Sequence, residues 1–220
     1  MAKQKSAEPP YMVSIYDDPA HPGSLRFTFV PKGLQQGRIP GEPPKPIPRY
    51  IVTVEGNADE TVFTWLAAPE NEEVKAELEE IARKRVTARH RWLMKLRNLV
   101  DTVKGWSGEL GWATKVVDKR MEDHEIGTYK APALLLQEEA VKLFLEPVSR
   151  VSPSAEGVVD LYLMPSYDDI ASLYYYNNRW NVHYLFPGTP QVGNIRETEG
   201  KPLTKAILRK VFDEMKRHAG

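Results

Sequence analysis

Hydrophobic and polar positions alternate with a period of two in the first part of the chain. Leu25, Phe27 and Phe29 are separated by Arg26 and Thr28, the pattern of a half-buried strand. Residues 11–16 form a second candidate strand. Residues 50–54 and 61–66 read as a hairpin around Gly56-Asn57-Ala58-Asp59. Pro40, Pro43, Pro44, Pro46 and Pro48 mark a stiff, extended linker over 40–48. Residues 1–10 read as a flexible tail.

The period then lengthens. Val74, Leu78, Ile81, Ala88, Trp92, Leu96, Leu99 and Val103 recur at spacings of three, four and seven. This predicts a long amphipathic helix. Pro69 is its expected first residue, Glu70, Glu72 and Glu73 fill its first turn, and Gly105 is its expected stop. Arg85 falls on the apolar stripe, so a break near 85–90 is a second possibility. A shorter helix is expected over 112–122, which makes 69–122 helical. Strands return at 132–137, 141–146, 158–164, 171–176 and 180–186, the last two joined by Asn177-Asn178-Arg179, a hairpin signal. Pro202 opens a final helix over 202–218, with Ile207, Leu208, Val211, Phe212 and Met215 facing inward. The expected fold is α+β, in a single domain over 11–220. Its antiparallel sheet is a meander over 131–186, open to extension by the N-terminal strands. The long helix and the C-terminal helix pack on one face.

Composition narrows the chemistry. The 220 residues include no cysteine, which excludes a disulfide framework, a thiolate metal site and a thiol nucleophile. No run approaches ~18 apolar residues, so no membrane is expected as a partner. No apolar run follows the charged start, and a cytoplasmic location is the expectation. The sequence contains no phosphate-cradling GxxxxGK[ST] loop, no GxGxxG turn and no HExxH pair. The five histidines, at 21, 90, 124, 183 and 218, show no ligand spacing on a helix. No metal or cofactor is expected from these features.

Charge is balanced overall, at 30 basic and 30 acidic groups, but unevenly placed. Residues 82–120 carry 11 basic and 3 acidic groups, an excess of 8 in a neutral chain. Acids at the start of the helix and bases towards its end complement the macrodipole without any ligand. The same bases also form a candidate surface for a phosphate backbone. On a helical wheel Lys84, Arg91 and Lys95 share one stripe, Arg89 flanks the apolar face, and Arg97 lies on the opposite side. These five are the candidate nucleic-acid contacts. Trp92 and Trp106 continue the apolar stripe, and stacking on unpaired bases would need an exposed ring.

Eight of the 21 aromatic residues fall within 162–186. Strand alternation sends Tyr174 and Tyr175 to opposite faces. The face away from the helices carries tyrosines and a histidine, and Tyr174, Tyr176 and His183 are the candidate partner contacts. A rival chemistry rests on carboxylates. Glu146 ends one predicted strand and Asp160 lies within the next, and an Asp in an apolar strand must be paired, exposed or used. Two such acids hold Mg²⁺ in metal-dependent nucleases, with a nearby Glu-x-Lys. Glu199-Gly200-Lys201 and Glu73-Val74-Lys75 have that spelling. The expected function is non-catalytic binding of nucleic acid or a nucleoprotein assembly through the basic helix and the aromatic hairpin. The alternatives are a nuclease using Glu146, Asp160 and Mg²⁺, or a regulatory or structural protein–protein interaction module.

Overall fold

The structure, a computed structural model, describes residues 10–32, 47–57, 60–188 and 199–219. The predicted tail (1–9), the Pro-rich linker up to residue 46, Ala58-Asp59 and most of the loop after 188 lie outside the described residues. The chain divides into two compact units. One comprises the residues up to His90 with Glu122–Tyr129, and the other Arg91–Met121 with the residues from Lys130 on.

The first unit contains β1 (Tyr11–Asp17), β2 (Leu25–Pro31), β3 (Tyr50–Gly56) and β4 (Thr61–Ala67), an antiparallel sheet in sequence order. The first half of helix α1 (Glu72–Glu109) covers one face. Phe27, Phe29, Val52 and Val54 from the strands bury against Leu78, Ala82 and Val86 of the helix. The period-two strands and the helical stripe meet here because each has one apolar face to remove from water. The N-terminal strands do not extend the larger sheet; they form a sheet of their own. Asp18 closes the β1–β2 turn. Its buried carboxylate accepts hydrogen bonds from Arg26 (2.7 and 2.9 Å), Thr53 (2.8 Å) and the Ala20 amide (2.9 Å).

The second unit contains β5 (Ala113–Asp123), β6 (Gly127–Glu138), β7 (Val141–Ser149), β8 (Val158–Leu163), β9 (Asp168–Tyr176), β10 (Arg179–His183) and β11 (Lys201–Pro202). β5 and β6 each cross between the units near residues 121–130. The seven strands pair strictly in chain order, so the expected meander is present and longer than expected. Helix α2 (Lys205–His218) starts later than the expected Pro202, because Pro202 pairs in β11 and Thr204 caps the helix, its hydroxyl accepting from the Ile207 amide. Leu208, Val211, Phe212 and Met215 are buried, and Phe212 packs on Trp112 with ring centres 4.7 Å apart. Two antiparallel sheets with a long helix and a C-terminal helix make this an α+β fold. No helix among the described residues is long and apolar enough to cross a membrane.

Three local expectations are corrected. Residues 113–123 are strand β5, not helix. Burial alternates there, with Val117, Lys119 and Met121 inward and Asp118, Arg120 and Glu122 exposed, and three of its residues are β-branched. Helix α1 starts at Glu72 rather than Pro69. The Asn71 side chain accepts from the Glu73 and Val74 amides and caps it. It runs unbroken for 38 residues, about 57 Å, through Arg85 and past Gly105. It stops at Gly111, whose φ is +91°. The Trp112 amide bonds the Ser107 carbonyl (2.9 Å) and the Gly111 amide the Gly108 carbonyl (3.1 Å). This left-handed stop satisfies the last carbonyls and needs a residue without Cβ strain.

These contacts predict opposite effects of one substitution type along α1. A Cβ at Gly105 meets no atom within 4 Å, so Gly105→Ala stabilises by about 0.5–1 kcal/mol through helix propensity. Gly111→Ala destabilises by about 1 kcal/mol because of its positive φ. Thermal or urea unfolding of the two variants reads both signs.

Asp18 gives a pH prediction. Burial alone would raise its pKa, but hydrogen bonds from Ala20, Thr53, Arg26 and His21 outweigh it and hold the carboxyl well below the usual carboxylate range. Its stabilisation is therefore full above the unfolded value of about 4 and is lost as pH falls towards the folded one. Asp18→Asn unfolds more readily than the parent at pH 7, and the gap between their melting temperatures narrows as the pH drops below about 4.

Candidate functional site

The basic residues of α1 meet different fates. Arg89 is a clamp inside the first unit. Its guanidinium donates to the Thr128 carbonyl (2.9 Å) and pairs with Asp17 (2.7 Å), and its side chain is only 12% exposed. Lys84 is exposed and lies 3.4 Å from Glu80, one turn back. Arg91 and Arg97 are exposed and carry no ion pair among the described residues. Lys95 bonds Glu156 (2.6 Å) and sits 4.2 Å above the ring centre of Tyr175.

Lys95 also opens onto a concave site in the second unit. Lys95, Asn98, Thr102 and Trp106 follow one another at spacings of three and four, so they share one face of α1. Arg91 extends the same face one turn earlier. Opposite them stand Tyr175, Asn178, Arg179 and Trp180 of the β9–β10 hairpin. Together they line an open hollow of about 300 Å³, with Pro202 and Leu203 at one end. Asn177 and Asn178 both have positive φ, the backbone that a two-residue hairpin turn demands, and this turn places Arg179 at the hollow. Trp106, Trp180 and Tyr175 are half-buried, which leaves part of each ring available. Tyr175 packs edge-on to Trp180 at 5.2 Å, and Trp180 rests against the buried Trp92 at 6.5 Å. Among the described residues the lining contains two cations, two amides and the hydroxyls of Thr102 and Tyr175, and no acid.

The other face of the same hairpin carries Tyr174, Tyr176 and His183. The structure brings all three together around an open cavity of about 270 Å³, flanked by Pro153, Ser154 and Ala155. Tyr174 and His183 are each 8% exposed, so they are more covered than a free outer face would leave them. The Tyr176 hydroxyl and His183 Nε2 share a hydrogen bond (3.3 Å), and the Gly200 backbone lies close against both. β10 ends at His183, and Tyr184 leaves the strand to donate to both oxygens of Asp169 (2.7 and 2.9 Å).

Glu146 and Asp160 are directly opposed on β7 and β8, as adjacent strands would place them. Their oxygens are already engaged. Glu146 takes Lys119 on one oxygen and the Tyr162 hydroxyl (2.8 Å) on the other. Asp160, 7% exposed, takes Tyr167 (2.6 Å) and Ser172 (2.7 Å). The Glu-x-Lys spellings do not join them in a ligand set. Lys75 pairs with Glu72 on α1, and Lys201 lies over the Phe186 ring. The described residues hold no group of three or more His, Asp or Glu placed to bind a metal ion.

Sequence reasoning named Lys95 and Arg91 but missed Asn98, Thr102, Asn178, Arg179 and Glu156. The helix residues were accessible as a spacing pattern running on from Arg91 and Lys95. The hairpin residues were not, because only the folded register sets them opposite α1.

No protein-family model matches the chain, and no curated protein and no solved structure is similar to it.

The tyrosine–carboxylate network predicts an alkaline signature. Burial first, then the hydrogen bond and charge of Glu146, push the Tyr162 phenol up to about 12. Burial and Asp160 raise Tyr167 as well. A raised phenol stabilises fully below its unfolded value of about 10 and loses that contribution as pH climbs towards the folded one. Phenolate absorbance should therefore show a set of tyrosines that ionise only above about pH 11, and Glu146→Gln should return one of them towards 10.

Proposed function

We propose that this chain is a non-catalytic binding protein that engages nucleic acid through the hollow between α1 and the β9–β10 hairpin. One observation carries the reading: Lys95 of the basic stripe and Tyr175, Arg179 and Trp180 of the hairpin, far apart in sequence, line one concave surface with two cations and half-buried rings. Stacking on a ring requires unpaired bases, and cations along the same groove follow a phosphate backbone. The target is therefore a single strand, or a single-stranded part of a nucleoprotein assembly. Arg91 and Lys95 form the electrostatic part, and Arg97 adds charge outside the hollow. Lys84 contributes only general attraction, and Arg89 is kept for the fold. The Tyr174, Tyr176 and His183 cavity is a second surface, available to a protein partner in such an assembly.

The test is an anisotropy series with labelled single- and double-stranded DNA and RNA, with Mg²⁺, across a salt titration. Single strands bind more tightly than duplexes, and affinity falls steeply with salt. Trp106→Ala and Arg179→Ala each weaken binding by about tenfold, and the variant at the exposed Arg179 keeps the parent's melting temperature. Arg91→Ala lowers the salt slope by about one. An absence of binding at low salt overturns the reading. Label shortened by the parent but not by Asp160→Asn would assign nuclease activity to Glu146 and Asp160 instead.

A further inference from the structure

Lys95 faces the hollow, yet its ammonium is held by Glu156, 2.6 Å away. Glu156 is not part of the lining. It sits in the connection before β8, and its side chain is 72% exposed. Its backbone is fixed independently of that carboxylate. The Glu156 amide donates to the Tyr175 carbonyl (2.8 Å), and the Tyr175 amide donates to the Gly157 carbonyl (2.9 Å). Lys95 is likewise held by more than Glu156, because it rests on the Tyr175 ring. The ion pair can thus open by rotation of one exposed side chain. Arg179, on the hollow's other wall, has no ion pair among the described residues.

We propose that Glu156 occupies the place of a nucleotide phosphate. Its carboxylate holds Lys95 while the hollow is empty, and the phosphate of one unpaired nucleotide displaces it, with the base lying against Trp106, Trp180 and Tyr175. This rests on the nucleic-acid reading above and names the unit recognised. A carboxylate and a phosphate both accept hydrogen bonds from an ammonium, so the exchange keeps Lys95 paired throughout. Arg179 also lines the hollow and adds a second positive charge to it, whereas Glu156 lies outside the lining. An exposed carboxylate–ammonium pair is a weak bond, so displacement costs little in water. Glu156 therefore sets a threshold: ligands without a phosphate gain nothing from Lys95.

The test compares the full-length parent with Glu156→Gln, Glu156→Asp and Lys95→Gln, using a short fluorescent single-stranded oligonucleotide and its uncharged methylphosphonate counterpart. Glu156→Gln tightens binding of the phosphate form by about three- to tenfold and leaves the methylphosphonate form unchanged. Lys95→Gln weakens the phosphate form, and Glu156→Gln gives no gain when added to it. Glu156→Asp, with a shorter reach, tightens in the same direction and serves if the Gln variant loses its native melting transition. Parent binding with no gain, or a loss, in folded Glu156 variants overturns the displacement and leaves the nucleic-acid reading standing. Equal gains on both oligonucleotides overturn it as well. Failure of every form to bind overturns both.

Discussion

A side chain at position 157 would not fit. A Cβ built on Gly157 would stand 2.5 Å from the Trp92 ring and 3.3 Å from Trp180. The bare backbone lets the chain entering β8 lie flat on two tryptophans, one from α1 and one from β10. The site depends on that approach. It sets Glu156 beside Tyr175 through backbone hydrogen bonds, and from there the carboxylate reaches Lys95. It also allows Trp180 to rest on Trp92, which fixes the hairpin wall of the hollow. A larger residue would push the hairpin away from α1 and open the hollow into a flat surface.

The bases of α1 show how a positive block can be spent. Arg83 and Lys84 pair with Glu80, Arg85 donates to the His124 and Glu125 carbonyls, and Arg89 ties Asp17 to the Thr128 carbonyl. These are contacts of the first unit, and they engage cations that the sequence alone offers to a ligand. Beyond His90 the pattern differs. Arg91 and Arg97 have no ion pair among the described residues, and the pair made by Lys95 is exposed on the acidic side. The capacity of α1 to meet an anion is therefore concentrated in its second half, where the aromatic hairpin stands.

The elements were legible where periodicity and local chemistry agreed. Leu25, Phe27 and Phe29 marked β2, the stripe from Val74 to Val103 marked α1, and Asn177-Asn178 marked the hairpin. The helix stop was misplaced because a glycine inside a helix and a glycine at its end look alike in sequence. Gly105 keeps helical φ and ψ, whereas Gly111 takes φ +91°. Strand β5 was misread because Trp112 and Val116 fit a helical spacing over its first turn, while the alternation from Val117 to Asp123 appears only further on. Hairpins and the meander were legible from short connections, but not the division into two sheets, since no pattern within a strand says that β1–β4 pair only with one another. The site was half legible for the same reason. Lys95 was visible as charge, but Glu156, 61 residues away, acquires its meaning only from the register of β9 and the turn before β8.

The two faces of the β9–β10 hairpin differ in what a small ligand would have to displace. The face bearing Ser172 and Tyr174 carries two carboxylates that are matched within the protein. Asp160 and Glu146 are each satisfied at both oxygens by Tyr, Ser and Lys donors, and Tyr176 bonds His183. A ligand there would have to break buried hydrogen bonds, which costs the full desolvation of each group left behind. Across the sheet, Tyr175 and Trp180 line the hollow with Asn98, Asn178, Arg179 and Lys95, whose ion pair is to the exposed Glu156. There a ligand replaces only water and one exposed ion pair. The difference lies less in residue types, since both faces carry aromatic rings, than in the carboxylates that one of them keeps paired.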